Sequence, residues 1–191
     1  MKRILFATPL LLLIAFLAPA ASAQVTIGAY GDYTRLQATS TNMAGIGARL
    51  GVKVFPATML EAQMTYDFDQ AFTEKFTNTT GAVSINNSNL KVLKGLIGPT
   101  FEIGGPVKLF VTAKGGFIDF MFNSTPGSFS GFTSSVANLR ANNVDGMFYP
   151  GAGLEAYLGP VGLRLDVGDD MYFASGAHNN LVVQFGPTIR F

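Results

Sequence analysis

From residue 24 onward, apolar and polar or small side chains alternate with a period of two, the spacing of a strand that keeps one face dry. Residues 181–191 show it most plainly. Leu181, Val183, Phe185, Pro187, Ile189 and Phe191 fall on one face, and Val182, Gln184, Gly186, Thr188 and Arg190 on the other. Residues 45–54, 60–69, 148–157 and 161–168 repeat the pattern, with Gly or charged residues opposite the apolar face. Residues 25–36, 90–103 and 107–122 alternate less cleanly and complete a set of eight expected strands. In 107–122, Leu109, Val111 and Ala113 share a face that Asp119 would join further on. A bulge at Gly115-Gly116 is therefore expected, switching parity so that Ile118 and Phe120 stay apolar-side and Asp119 turns to the polar side.

The connections alternate between short and long. Pro56-Ala57-Thr58, Gly104-Gly105-Pro106 and Gly159-Pro160 read as tight turns, whereas 38–42, 73–89, 123–145 and 174–179 read as loops rich in Ser, Thr, Asn and Gly. Adjacent hairpins of an up-and-down barrel point to opposite ends, so this alternation predicts an antiparallel transmembrane β-barrel of eight strands. Short turns would face the periplasm and longer loops the exterior, with both ends of the barrel chain on the periplasmic side.

Alternation alone fits a soluble barrel with an apolar interior equally well, and composition separates the two. Only 13% of residues are charged, mean hydropathy is +0.32, and many polar-face positions are Gly. A soluble barrel would have to solvate its whole outer wall. Small residues instead suit an interior just wide enough for side chains to fill. The expected inward charges are near balance: Asp32, Glu61, Asp67, Asp69, Glu102, Glu155 and Asp166 against Arg49, Lys53, Lys94, Lys108, Lys114, Arg164 and Arg190. Paired in this way they predict a plugged, salt-bridged lumen rather than an open pore.

Residues 1–23 have the form of a cleaved export signal: Lys2 and Arg3, an apolar run over 4–17, and Ala21-Ser22-Ala23 before Gln24. The barrel domain is then 24–191, and no Cys follows the cleavage site to take a lipid anchor. Without Lys2 and Arg3 the chain holds eleven basic and twelve acidic residues, which argues against nucleic acid as a partner. Absence of Cys excludes disulfides and thiol chemistry.

These features together resemble the small eight-stranded outer-membrane barrels of the OmpA/OmpX type, the porin-family β-barrel domain, over nearly the whole of 24–191. The resemblance implies location in the bacterial outer membrane, contact with lipopolysaccharide, assembly by the barrel insertion machinery with Phe191 as its terminal signal, and a monomer. It implies no cofactor. A chain ending at its last strand also departs from full-length members, so no peptidoglycan-binding domain is expected.

Candidate chemistry is sparse. His178 is the one histidine and falls in the last outward loop, where it would suit a general base or metal ligand. No carboxylate stands beside it, and the nearest serine, Ser175, precedes it in the same loop. Gly45-Ile46-Gly47 with Gly51 lacks the strand-turn-helix setting of a nucleotide fingerprint. Asp169-Asp170 with Asp166 reads as solvated carboxylates at the rim rather than a cation site. Phe76, Phe129, Phe132 and Leu139 are apolar points within polar loops, expected to anchor them on the barrel. The expected role is a structural or surface-interaction protein that acts through its loops. A narrow channel, a lipid-modifying enzyme and a soluble carrier barrel remain as alternatives.

Overall fold

A computed structural model describes residues 24–38, 40, 41–78, 80, 83–122, 132–134, 144–174 and 176–191. The expected export signal, Ser175, Phe129 and Leu139 lie outside them. The strands are β1 (Val25–Leu36), β2 (Thr41–Phe55), β3 (Thr58–Asn78), β4 (Val83–Gly104), β5 (Val107–Phe122), β6 (Phe132–Ser134), β7 (Val144–Leu158), β8 (Val161–Asp169), β9 (Met171–Phe173), β10 (Ala177–His178) and β11 (Asn180–Arg190).

Every neighbour pair is antiparallel and the sheet closes on itself, because β1 pairs both β2 and β11, and β11 returns through β8 to β7. Eight staves result. β8 and β9 form one stave interrupted at Asp170, and β10 and β11 form another interrupted at Asn179. Closure pairs the first stave with the last from Thr26↔Arg190 to Leu36↔Asn180, so no edge is left along the barrel.

Parity sorts the side chains. On β1 the even-numbered residues from Thr26 to Leu36 are buried and the odd-numbered ones exposed. On β11 Val182, Gln184, Gly186 and Thr188 are buried while Leu181, Phe185, Pro187 and Ile189 face out. The outer wall is apolar on all eight staves, through residues such as Ile27, Leu50, Met64, Ile97, Val111, Leu154, Leu165 and Phe185. Outward charged or polar-ended residues, Arg35, Asp69, Lys91 and Asp119, lie toward the end that carries the longer connections, the loop end. The opposite, turn end carries the tight turns and both ends of the described barrel segment, tied to it by Lys53 N–H to Gln24 O (2.9 Å) and Phe191 N–H to Val25 O (2.9 Å).

Two expectations fail. β5 has no bulge at Gly115-Gly116: its register with β7 runs unbroken from Val107↔Ala156 to Asp119↔Val144. Ile118 and Phe120 therefore point inward and Asp119 outward. They join Leu36, Met43, Leu90, Val92, Met147, Tyr172, Ala174 and Val182 in an apolar layer that fills the loop end of the lumen. Apolar character is thus satisfied on both sides of the wall there, and parity could not be read from it. Secondly, 73–89 is not a loop, since β3 and β4 continue as a ladder to Thr77↔Val83. Ser, Thr and Asn dominate the sequence of this stretch, so it lacks the apolar alternation by which a strand is read, while the backbone ladder continues through it. β6 then pairs β3 through Phe76↔Ser134 to Asn78↔Phe132, past the point where β2 ends.

Candidate functional site: the barrel lumen

The lumen is stratified from the loop end to the turn end. Beneath the apolar layer, Lys94 on β4 sends its ammonium to three carboxylates, Asp32, Asp67 and Asp170, each at 3.1 Å, and donates to Thr34 Oγ1 at 2.8 Å. Asp32 also accepts from Thr34 Oγ1 (2.7 Å) and from Gln184 Nε2 (2.9 Å). A buried charge survives only with partners, and this ammonium has every N–H directed at an oxygen. Lys94 thereby fills the place that a bound cation would take among those carboxylates. Among the described residues no cluster offers a metal three His, Cys, Asp or Glu ligands.

The middle layer centres on Glu61. Lys114 Nζ donates to its Oε1 and, at 2.6 Å, to Gln63 Oε1. Arg164 grips the same carboxylate from the far wall, Nη1 to Oε2 at 2.7 Å, and reaches Asp166 Oδ2 at 3.2 Å. Asp166 accepts from Tyr149 Oη at 2.8 Å and pairs with Arg49 at 3.6 Å. Arg49 lies over the Tyr30 ring at 4.3 Å, and Arg164 over the Phe110 ring at 3.8 Å, so both guanidinium planes are covered as well as hydrogen-bonded at the edge. Gly47 makes room for Tyr30: a Cβ there would collide with the phenol ring. This is the physical use of the Gly45-Ile46-Gly47 segment.

Toward the turn end Lys108 pairs with Glu102 at 2.6 Å, and Glu155 is buried close by. Of the residues expected inward, three stand outside this network. Asp69 is exposed, because the register of β3 against β4 shifts between Asp67 and Gln70 and turns it outward. Lys53 is half-buried at the turn-end mouth, where β2 slips against β3 between Lys53 and Phe55. Arg190 is half-buried at the same mouth and stacks on Tyr157 at 4.5 Å instead of pairing with an acid.

Two acids missed in the sequence are inside. Asp170 is not a solvated rim carboxylate: it is 1% exposed, because its stave runs on through β9 and carries it below the apolar layer. Asp145 is buried at the loop end of β7, whose ladder with β5 already begins at Val144. The expected balance becomes an acidic excess. Among the described residues Asp32, Glu61, Asp67, Glu102, Asp145, Glu155, Asp166 and Asp170 are buried, against Arg49, Lys94, Lys108, Lys114 and Arg164.

His178 stacks on Tyr172, with ring centroids 5.0 Å apart and planes at 20°, and its Nε2 lies 3.1 Å from Ala174 O. Tyr172 in turn meets Phe120 at 5.1 Å. The histidine therefore extends the apolar layer at its upper edge, and no described carboxylate or hydroxyl is joined to it as a catalytic partner.

No known family profile and no curated protein matches the sequence. Solved structures do share the architecture. The chain is similar to Neisserial surface protein A (TM-score 0.56, 10% identity, covering 88% of this chain and 95% of that one). It is also similar to Ail, the attachment invasion locus protein of Yersinia pestis, in complex with the heparin analogue sucrose octasulfate (0.52, 15%, 88% and 97%). A third likeness is the N-terminal β-barrel domain of Pseudomonas aeruginosa OprF (0.50, 14%, 88% and 97%). The fold is that of the small outer-membrane barrels, a closed antiparallel barrel of eight staves.

Proposed function

We propose that the chain is an integral outer-membrane barrel with a lumen closed by its own side chains, serving as a structural and surface-interaction protein through its loop end. The observation that carries this reading is the filled interior. An apolar layer lies over the Lys94 carboxylate cluster, and below that the Glu61 bridges cross the lumen from wall to wall. Among the described residues this stack fills the lumen that an ion would have to cross.

The membrane part of the proposal rests on the outer wall. Large apolar side chains face outward on every stave, at exposures from 36% to 91%, and a water-soluble monomer does not carry an uninterrupted apolar belt of that extent. Turn end inward and loop end outward then follows from the usual plan of such barrels. Among the barrels of like fold, Ail is described as an attachment invasion locus protein and was solved in complex with a heparin analogue, which supports a surface-interaction role as one use of this fold. The lipid-modifying alternative has His178 as its sole candidate base, and that ring is engaged in stacking.

Fractionation of expressing cells, with migration compared before and after boiling, tests this reading. Recovery in the outer-membrane fraction with faster migration of the unboiled form is expected, and surface-added protease should cut the loop end of intact cells. Recovery in the soluble periplasm would overturn the assignment of the apolar wall.

A further inference from the structure

At the turn end the mouth of the barrel holds a cation that the lumen does not use. Arg190 lies with its guanidinium over the Tyr157 ring at 4.5 Å, while Lys108 approaches the same ring at 5.4 Å and is already paired with Glu102. No described carboxylate lies within ion-pair distance of Arg190. Stacking occupies its face and leaves the N–H edge for an oxyanion. That edge borders a cleft of about 450 Å³ between two neighbouring turns, walled by Gly105, Pro106, Tyr157, Leu158 and Gly159. Half-buried Lys53 adds a second cation at the same mouth.

A second crevice, of about 480 Å³, adjoins the first and shares Tyr157 and Leu158 with it. Its wall is apolar and runs up the outside of the barrel along Ala156, Val161 and Leu163. Leu158 stands between the two and is 91% exposed, the most exposed large apolar side chain among the described residues. A mostly apolar cleft edged by one guanidinium, Arg190, thus continues into an apolar groove on the outer wall.

We propose that this double cleft binds one anionic phospholipid of the inner leaflet, with the phosphate on Arg190 and an acyl chain against Leu158, Val161 and Leu163. The proposal rests on the membrane reading above, which places the turn end at that leaflet. Charge complementarity selects an anion. The apolar continuation selects a lipid over a free anion, because a bare phosphate would leave Leu158 and the groove uncovered. The arrangement would hold the barrel at a fixed depth, since the headgroup contact lies at the level of the tight turns.

The test uses the chain refolded into nanodiscs of equal parts phosphatidylcholine and phosphatidylglycerol, transferred to mild detergent and weighed by native mass spectrometry. The unaltered barrel should keep a single phosphatidylglycerol. Arg190→Gln and Leu158→Asp should each lower retention by roughly tenfold, and Arg190→Lys should restore part of it. Leu158 is the last residue of β7 and its side chain is exposed, so its variant folds whether or not the lipid site exists; unchanged migration of the unboiled form checks both variants. Excess inorganic phosphate should leave the lipid in place. Equal retention by the unaltered chain and both variants would overturn the proposal, as would displacement of the lipid by phosphate alone. A chain that fractionates with the outer membrane yet keeps no lipid sinks the cleft and spares the membrane reading.

Discussion

Arg164 on β8 and Glu61 on β3 join opposite walls of the barrel, with Nη1 donating to Oε2 at 2.7 Å and Nη2 to Oε1 at 3.3 Å. β3 and β8 are four staves apart in either direction, so this forked pair spans a full diameter. Lys94 makes similar chords to Asp32 and Asp170, each three staves away. Ladder hydrogen bonds hold each stave only to its neighbours, whereas these bridges tie together walls the ladder never connects.

Removing Glu61 should therefore cost more than removing a rim charge. Glu61→Ala leaves both Lys114 and Arg164 buried without their shared carboxylate, and breaking a buried pair in this way costs roughly 3–5 kcal/mol. Urea unfolding of the refolded barrel, followed by the gel migration of unboiled samples, should show a clearly lowered midpoint. Lys53→Ala, at the half-exposed mouth, should shift it little. Equal midpoints for Glu61→Ala and the unaltered chain would mean that the bridges do not hold the walls.

Gly115 and Gly116 should behave oppositely although they are adjacent. A Cβ on Gly116 meets the backbone of Gly95 and Leu96 in β4, so Gly116→Ala forces the ladder apart and should cost about 1–3 kcal/mol. A Cβ on Gly115 has only Met147 O at 4.0 Å, and Gly115→Ala should be near neutral. The same urea titration compares them. Equal effects, or a larger one at Gly115, would contradict the unbroken register of β5.

His178→Ala should remove a ring stack and little else, at about 0.5–1.5 kcal/mol. Lipid A profiles of cells expressing either form should match. A change in lipid A that depends on His178 would restore the enzyme reading.

How much of this could be read beforehand depends on what alternation reports. It reports which face is dry, so β2, β8 and β11 are legible, and the structure buries Asp32, Arg49, Glu61, Lys94, Lys114, Arg164 and Asp166. It fails where both faces are dry. Ile118 and Phe120 are apolar because the loop end of the lumen is a packed core, and taking them as outward produced a bulge that β5 does not have. A register shift does occur between Asp67 and Gln70 on β3, in a segment whose residues fit either register, and it carries Asp69 out of the lumen. Alternation also says nothing of depth. Asp170 has the right parity to face inward, but only the continuation of its stave through β9 puts it beneath the apolar layer instead of in water. Nor does parity show how far a polar hairpin extends, which is why 73–89 read as a loop although its ladder reaches Thr77↔Val83.

The central claim is that the lumen is closed, and the most direct measurement of it is the current carried by single refolded barrels in planar bilayers. With the apolar layer over the Lys94 cluster and the Glu61 chords below it, the unaltered chain should give a quiet baseline with no reproducible conductance step. Stable, uniform openings that scale with salt concentration would contradict the closed lumen and make the chain a narrow pore.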